Sequence, residues 1–375
     1  MPAPAAIYVH LPFCPYICPY CDFAKWPYRR SWAERYLDAL DAEIVAAPQI
    51  AGTSVFLGGG TPNTLPVERL VALVRRLRAR FDVEPEAEVT LEVNPDRALC
   101  ESFEAYRAAG VTRISIGVQS FDADELRTLG RRHDAADVAV VTERARAAGF
   151  PDVSFDLIFA VPGQTPASWR ASLDAALALR PDHLSTYGLT VESGTPFAAW
   201  QACEPGAFVA QDLEAELYET AIARLVAAGF EHYEISNFAK PGHRSRHNQN
   251  YWRNGEYLGL GVGAASYLGG TRSVHTRDLG GYVRAALAGE PIPGTSERLD
   301  GAAKVGEATM LALRTAEGVD LEAFRERYRV DFLASYHRPI RELEDAGMLE
   351  VTPTHVRLTR AGRFVANDVC SEFIA

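Results

Sequence analysis

Cys14-Pro15-Tyr16-Ile17-Cys18-Pro19-Tyr20-Cys21 sets three thiols in one short loop, at the spacing C-x3-C-x2-C. Three thiolates this close can wrap one soft metal centre. Structural zinc takes four ligands, and no fourth Cys or His follows at the usual spacing. His10 is near, but it precedes the loop and falls in a predicted strand. A [4Fe–4S] cluster held by three cysteines leaves one iron open to bind a substrate or cofactor. The competing reading is a zinc loop completed by a distant residue.

The other three cysteines, Cys100, Cys203 and Cys370, are scattered and read as small apolar fillers. A chain of 375 residues with no signal peptide in its first residues points to the reducing cytoplasm rather than to a disulfide framework. No apolar run reaches ~18 residues, so no membrane span is expected. Apolar residues make up 47% of the chain, enough for a large core. Acidic residues outnumber basic ones 49 to 38, for a net charge of -11. That balance disfavours non-specific nucleic-acid binding.

Working outward from the loop, short apolar runs alternate with stretches of helical period. Strands are predicted at 7–10, 54–57, 89–93, 113–118, 153–159 and 183–189. Helices are predicted at 32–46, 67–80, 98–109, 135–148 and 166–179. Six β-then-α units in series require a parallel sheet, because parallel strands need crossover helices. Six rather than eight predicts a partial (β/α)6 TIM-like barrel over 1–205, with a doubly wound sheet as the competing α/β arrangement. Region 206–297 is an extension with a long helix at 207–228 and a segment rich in Gly, His, Asn and aromatics. A linker at 289–297, with two prolines and two glycines, leads to a small winged-helix-like domain over 298–375. Its hairpin strands are expected at 348–351 and 355–358.

Barrel enzymes place their chemistry at the C-terminal ends of the strands. Tyr8 lies in the first strand. Gly58-Gly59-Gly60-Thr61-Pro62 follows the second, and Glu92 ends the third. Gln119 and Ser120 follow the fourth, Asp156 lies within the fifth, and Tyr187 and Thr190 lie at the sixth. Polar groups beside apolar strands need partners. A ligand could supply them, or hydrogen bonds within the protein could. Arg131, in Leu129-Gly130-Arg131-Arg132-His133, is equally a surface arginine or a bidentate carboxylate clamp.

The cysteine spacing, with an aromatic before the third cysteine, resembles the radical-SAM superfamily. Tyr8-Val9-His10-Leu11-Pro12-Phe13-Cys14, Gly58 to Pro62, Gly117-Val118-Gln119-Ser120-Phe121 and Asp156-Leu157-Ile158 further resemble its oxygen-independent coproporphyrinogen III oxidase group. The resemblance spans essentially the whole chain. It implies a [4Fe–4S] cluster on Cys14, Cys18 and Cys21 whose open iron chelates S-adenosylmethionine (SAM). Electron transfer then cleaves the sulfonium to a 5′-deoxyadenosyl radical, while the protein binds, orients and shields. By matching motif positions, Tyr8, Gly59, Gly60, Thr61, Glu92, Gln119, Arg131 and Asp156 are the implied SAM-site residues.

Within that group the oxidase carries a fourth cysteine two residues after the third, where this chain has Phe23. The oxidase also has a long N-terminal arm; with Cys14 so near the first residue, none is expected here. His247-Asn248-Gln249-Asn250-Tyr251-Trp252 instead resembles the H-N-x-x-Y-W motif of the HemW-type haem chaperones. An imidazole can ligate haem iron, and Tyr251 and Trp252 offer flat faces to a macrocycle. A packed aromatic turn with a satisfied His247 is the equal alternative on chemistry alone, and His232 and His243 lie close enough to compete. The resemblance implies haem binding at His247, Asn248, Tyr251 and Trp252, and delivery of haem to acceptor haemoproteins. Membrane-bound respiratory enzymes, met at the inner face of the membrane, are among the implied acceptors, and an electron donor for the cluster is a further partner. Oxidative decarboxylation of coproporphyrinogen III is the rival activity.

Overall fold

The computed structural model describes residues 3–374. Six strands, β1 (Pro4–Leu11), β2 (Ala51–Gly59), β3 (Glu88–Val93), β4 (Arg113–Gln119), β5 (Asp152–Phe159) and β6 (His183–Gly188), are hydrogen-bonded in sequence order and all run parallel. A doubly wound sheet reverses its strand order at a switch point. This one does not, so the barrel-type winding holds. The crossovers are α1 (Arg30–Ala46), α2 (Val67–Arg80), α3 (Phe103–Ala109), α4 (Ala123–Thr128) with α5 (Ala135–Ala147), and α6 (Pro166–Ala178). Reciprocal capping boxes start two of them: Asp134 with Asp137 opens α5 and Thr165 with Ser168 opens α6. The helix predicted at 98–109 is broken, because Asp96 caps a separate 3-10 turn at Arg97–Cys100 before α3 begins.

Strand alternation divides the residues of the sheet. Val89 and Leu91, Ile114 and Ile116, and Val153, Phe155 and Leu157 are buried in the large core. On the opposite parity, Glu92, Ser115, Gly117, Ser154, Asp156 and Ser185 face the barrel interior. A closed barrel fills that interior with bulky branched side chains. Here small and polar residues leave it open as a cavity.

After α7 (Pro196–Cys203) and α8 (Gln211–Ala227), two short strands, β7 (Glu231–His232) and β8 (Asn237–Ala239), extend the sheet antiparallel beyond β6. A short helix, α9 (Arg246–Trp252), then crosses to the other edge. There β9 (Tyr257–Leu260) pairs parallel with β1, followed by antiparallel β10 (Ala265–Leu268), β11 (Thr271–His275) and β12 (Gly294–Arg298), with α10 (Leu279–Ala288) inserted between β11 and β12. The expected linker at 289–297 is therefore corrected. Gly294–Arg298 pairs residue by residue with Thr271–His275 as an edge strand.

The last part holds α11 (Gly301–Leu313), β13 (Val319–Asp320), α12 (Leu321–Tyr328), α13 (Phe332–Ser335), α14 (His337–Asp345) and a hairpin of β14 (Leu349–Val351) and β15 (His355–Leu358), closed by two short helices. Its three strands form their own sheet in the order β13-β15-β14, with a separate core around Leu313, Phe324, Phe332, Val356 and Phe373. Helices followed by a hairpin wing match the winged-helix-like expectation.

Candidate functional site

A cavity of about 430 Å³ opens at the C-terminal ends of the strands and reaches down through the barrel interior. Cys14, Cys18 and Cys21 all line its mouth, with Gly59, Gly60, Thr61, Glu92, Gln119, Arg131 and Asp156 below and around them. Chain segments distant in sequence thus converge here as the strand-end argument requires.

The glycine loop shapes the mouth. Gly60 N donates to the Leu11 carbonyl at 2.9 Å, and Thr61 N to the Phe13 carbonyl at 2.8 Å. These bonds pin the segment that leads into the cysteine loop. A Cβ on Gly60 would stand 2.8 Å from Leu11 O and Phe13 N, so only glycine permits this approach. Gly59 sits at φ +106°, and its N–H donates to Glu92 Oε2 at 3.0 Å. Thr61 lines the mouth beside the Cys14 thiol. Burial pushes that thiol up to about 11 and raises Cys21 as well, so metal must displace protons when it binds.

Two carboxylates face each other below the mouth. Asp156 accepts from Ser115 Oγ at 3.0 Å, and Ser185 stands beside it in register on the neighbouring strand. Burial, and next the charge of Asp156, pushes Glu92 up to about 8, while burial raises Asp156. Gln119 takes φ +67°, a left-handed conformation rare for a side chain with a Cβ. Such strain gathers at functional sites. Arg131 is no surface residue. Its guanidinium donates to the Gly117 carbonyl at 2.8 Å and to Asn94 Oδ1, and reaches Cys18 Sγ at 3.8 Å. Its Nε is buried with no partner. An unpaired guanidinium donor beside three thiols, and two carboxylates with no directly bonded cation, suit a cluster-bound amino acid with ammonium and carboxylate groups. The donor set therefore fits a [4Fe–4S] cluster and SAM.

Two expected residues lie elsewhere. Tyr8 does not line this cavity. Its hydroxyl is bonded to His10 Nδ1 at 2.9 Å, and its ring lines a second cleft behind Gly59 and Glu92. Ser120 points away, donating to Glu125 Oε2 at 2.6 Å. Residues the strand ends did not single out include Asn94, which orients Arg131, Ser115, which donates to Asp156, and Ser185 beside it. Their signal was present. Ser115 and Ser185 are polar residues in apolar strands, paired across the sheet with Glu92 and Asp156.

The expected haem motif forms α9, at the N-terminal end of the barrel. Ser245 caps it, and Glu88 at the start of β3 accepts from the backbone N–H groups of Arg246 and His247, both at 2.9 Å. His247 is only 1% exposed. Its Nδ1 is bonded to Ser54 Oγ at 2.9 Å and its Nε2 to the Tyr251 hydroxyl at 2.8 Å. Burial pushes its pKa down to about 3. Both ring nitrogens are thus engaged within the protein, as in the packed aromatic turn that was the alternative to an axial role. The motif's other side chains diverge. Asn248 lines the cluster cavity, Tyr251 the second cleft, and Trp252 a pocket against the C-terminal domain. His232 and His243 are also engaged, His232 with the Ile235 carbonyl and Arg363, His243 with Asp152.

Comparison with known proteins gives the same frame. The Radical SAM superfamily matches residues 8–176, and the HemN C-terminal domain matches residues 299–365. The heme chaperone HemW of Bacillus subtilis is 36% identical over 378 residues, covering 98% of both chains. The HemW of Mycobacterium tuberculosis is 38% identical over 376 residues, covering 98% of this chain and 94% of its own. Among solved structures, the radical SAM coproporphyrinogen III oxidase HemN of Escherichia coli superposes with a TM-score of 0.87 at 25% identity, over 99% of this chain and 90% of that one. Near-complete coverage at this identity, on a barrel whose strand ends carry the three-cysteine loop, means that this chain belongs to the HemW family of the radical SAM superfamily.

Proposed function

We propose that this chain is a haem chaperone that holds a [4Fe–4S] cluster and SAM in its barrel cavity and delivers haem to acceptor haemoproteins. The observation that carries this is similarity over almost the full length to relatives named for that activity. Cys14, Cys18 and Cys21 hold the cluster. Arg131 takes the SAM carboxylate, Glu92 its ammonium, Asp156 the ribose hydroxyls, and the Gly59–Thr61 backbone with Gln119 the remaining polar edges. When bound, the cluster supplies one-electron reduction and the open iron that chelates the amino acid. Around it the protein excludes water and fixes orientation. No described helix is long and apolar enough to cross a membrane. Membrane-bound respiratory enzymes, met at the membrane surface, are among the acceptors this reading implies.

Phe23, with a side chain 64% exposed at the cavity rim, supports carriage over decarboxylation, since the resembling oxidase has a cysteine there. The test uses anaerobically reconstituted protein loaded with haem and mixed with an apo-haemoprotein. Transfer of the Soret band to the acceptor is the expected result. Formation of protoporphyrinogen IX from coproporphyrinogen III, with SAM and a reductant, would overturn the reading.

A further inference from the structure

Behind the cluster cavity lies a second, open cleft of about 420 Å³. Phe23, Gly59 and Glu92 line both, so the two spaces share one thin wall. The cleft is bounded by aromatic rings. Tyr251 and Tyr257 meet edge to face with ring centroids 4.8 Å apart, and Tyr8 stacks on Phe56 at 6.2 Å. Gly263 and Ala265 leave space between them.

The polar edges of this wall are already used. Tyr8 is hydrogen-bonded to His10 Nδ1, and His10 Nε2 to the Ala24 carbonyl at 2.7 Å. Burial lowers the His10 pKa and, before SAM brings its ammonium, pushes Glu92 up to about 8. The interior thus presents uncharged ring surface. At the rim stand Phe23 and one cation, Arg277, whose side chain is 63% exposed. Arg277 holds Asp22 only loosely, at 3.5 Å to the carboxylate and 3.3 Å to the carbonyl. Both rim residues are therefore available to a ligand without disturbing the core.

A flat cleft walled by rings, with a single guanidinium at its edge, complements a planar apolar molecule that carries carboxylates on one side. Resting on the haem-carrying reading above, we propose that haem binds in this cleft, its macrocycle against Phe23, Tyr251 and Tyr257 and a propionate on Arg277, rather than on the imidazole of His247. His247 is then a positioning residue. Its Nε2 holds the Tyr251 hydroxyl, one helical turn away, and so sets the ring that forms the wall. The cleft also places the macrocycle next to the cluster cavity, across Gly59 and Glu92.

The test titrates haem, and separately haem dimethyl ester, into reconstituted wild-type, Phe23→Ala and Arg277→Gln proteins of equal iron content and equal far-UV spectrum. Haem affinity is expected to fall about tenfold in each variant, the scale of one lost aromatic or charge-assisted contact. Esterification should weaken binding to wild type but cause no further loss in Arg277→Gln. Wild-type affinity in both variants, with wild type still binding haem, would overturn this site and leave the chaperone reading intact. Wild-type protein that takes up no haem would overturn the chaperone reading itself, and this site with it.

Discussion

Glu92 and Asp156 face the same cavity from β3 and β5, and neither has a directly bonded cation. For Glu92 the consequence is a pH-dependent cost. Its ordinary value is 4.5 and its folded value about 8. Below pH 4.5 folded and unfolded chains both hold this proton. Between pH 4.5 and 8 the unfolded chain loses it while the folded chain keeps it, so stability falls as pH rises, and above 8 the loss is complete. Glu92→Gln keeps an acceptor for the Gly59 N–H and removes the titration. The SAM-free variant should melt above wild type by a margin that widens from pH 5 to pH 8, on the order of a few kcal/mol at most, and it should bind SAM more weakly. A margin independent of pH would contradict this. Glu92, Asp156 and Gln119 were legible as site residues because polar side chains at the ends of apolar strands stand out. Arg131 was not separable from a surface arginine, since only the fold brings Gly117, Asn94 and Cys18 around it.

At the scale of elements, α9 shows what a motif leaves undetermined. The motif forms a single helix, but its seven residues radiate in all directions. Which side chain meets which cavity depends on Glu88 and Ser54, contributed by two different strands. Glu88→Ala leaves two N–H groups at the start of α9 without their acceptor and should cost about 2–4 kcal/mol, read as a lower denaturant midpoint. His247→Ala should cost a similar ~2–4 kcal/mol at pH 7, by loss of two hydrogen bonds and the creation of a void. The His247 pKa is depressed in the fold, so its neutral form is compatible with folding above the ordinary value of 6.5. Stability is then lost as pH falls from 6.5 toward about 3. His247→Ala should flatten that part of the acid-stability curve, and an unchanged curve would count against the burial described. Helix α4 is too short to show a period and the helix predicted at 98–109 is broken, while the six strands and α1, α2, α5 and α6 were legible from their apolar periods. β9 to β12 were not, because short strands joined by Gly-rich turns carry too few residues to show a period.

On the scale of the whole molecule, two cores divide the work. The large core carries the barrel and its cavity, while the C-terminal core rests on Phe332, Phe324 and Leu313. Contacts between them are both polar and apolar: Arg327 donates to the carbonyls of Arg253 and Asn254 and Ala316 N to the Tyr233 carbonyl at 2.9 Å, while Ile235 packs on the C-terminal core and Tyr218 meets Phe364 edge to face. Phe332→Ala should cost about 3–5 kcal/mol and expose the C-terminal domain to limited proteolysis, while cluster absorbance persists. Simultaneous loss of the cluster would show that the two cores unfold as one. The central claim remains the cluster at the barrel mouth, and iron and sulfide counted per chain after anaerobic reconstitution test it most directly. The account predicts about four of each in wild type and near none in Cys18→Ala. Full iron retained in Cys18→Ala would contradict it.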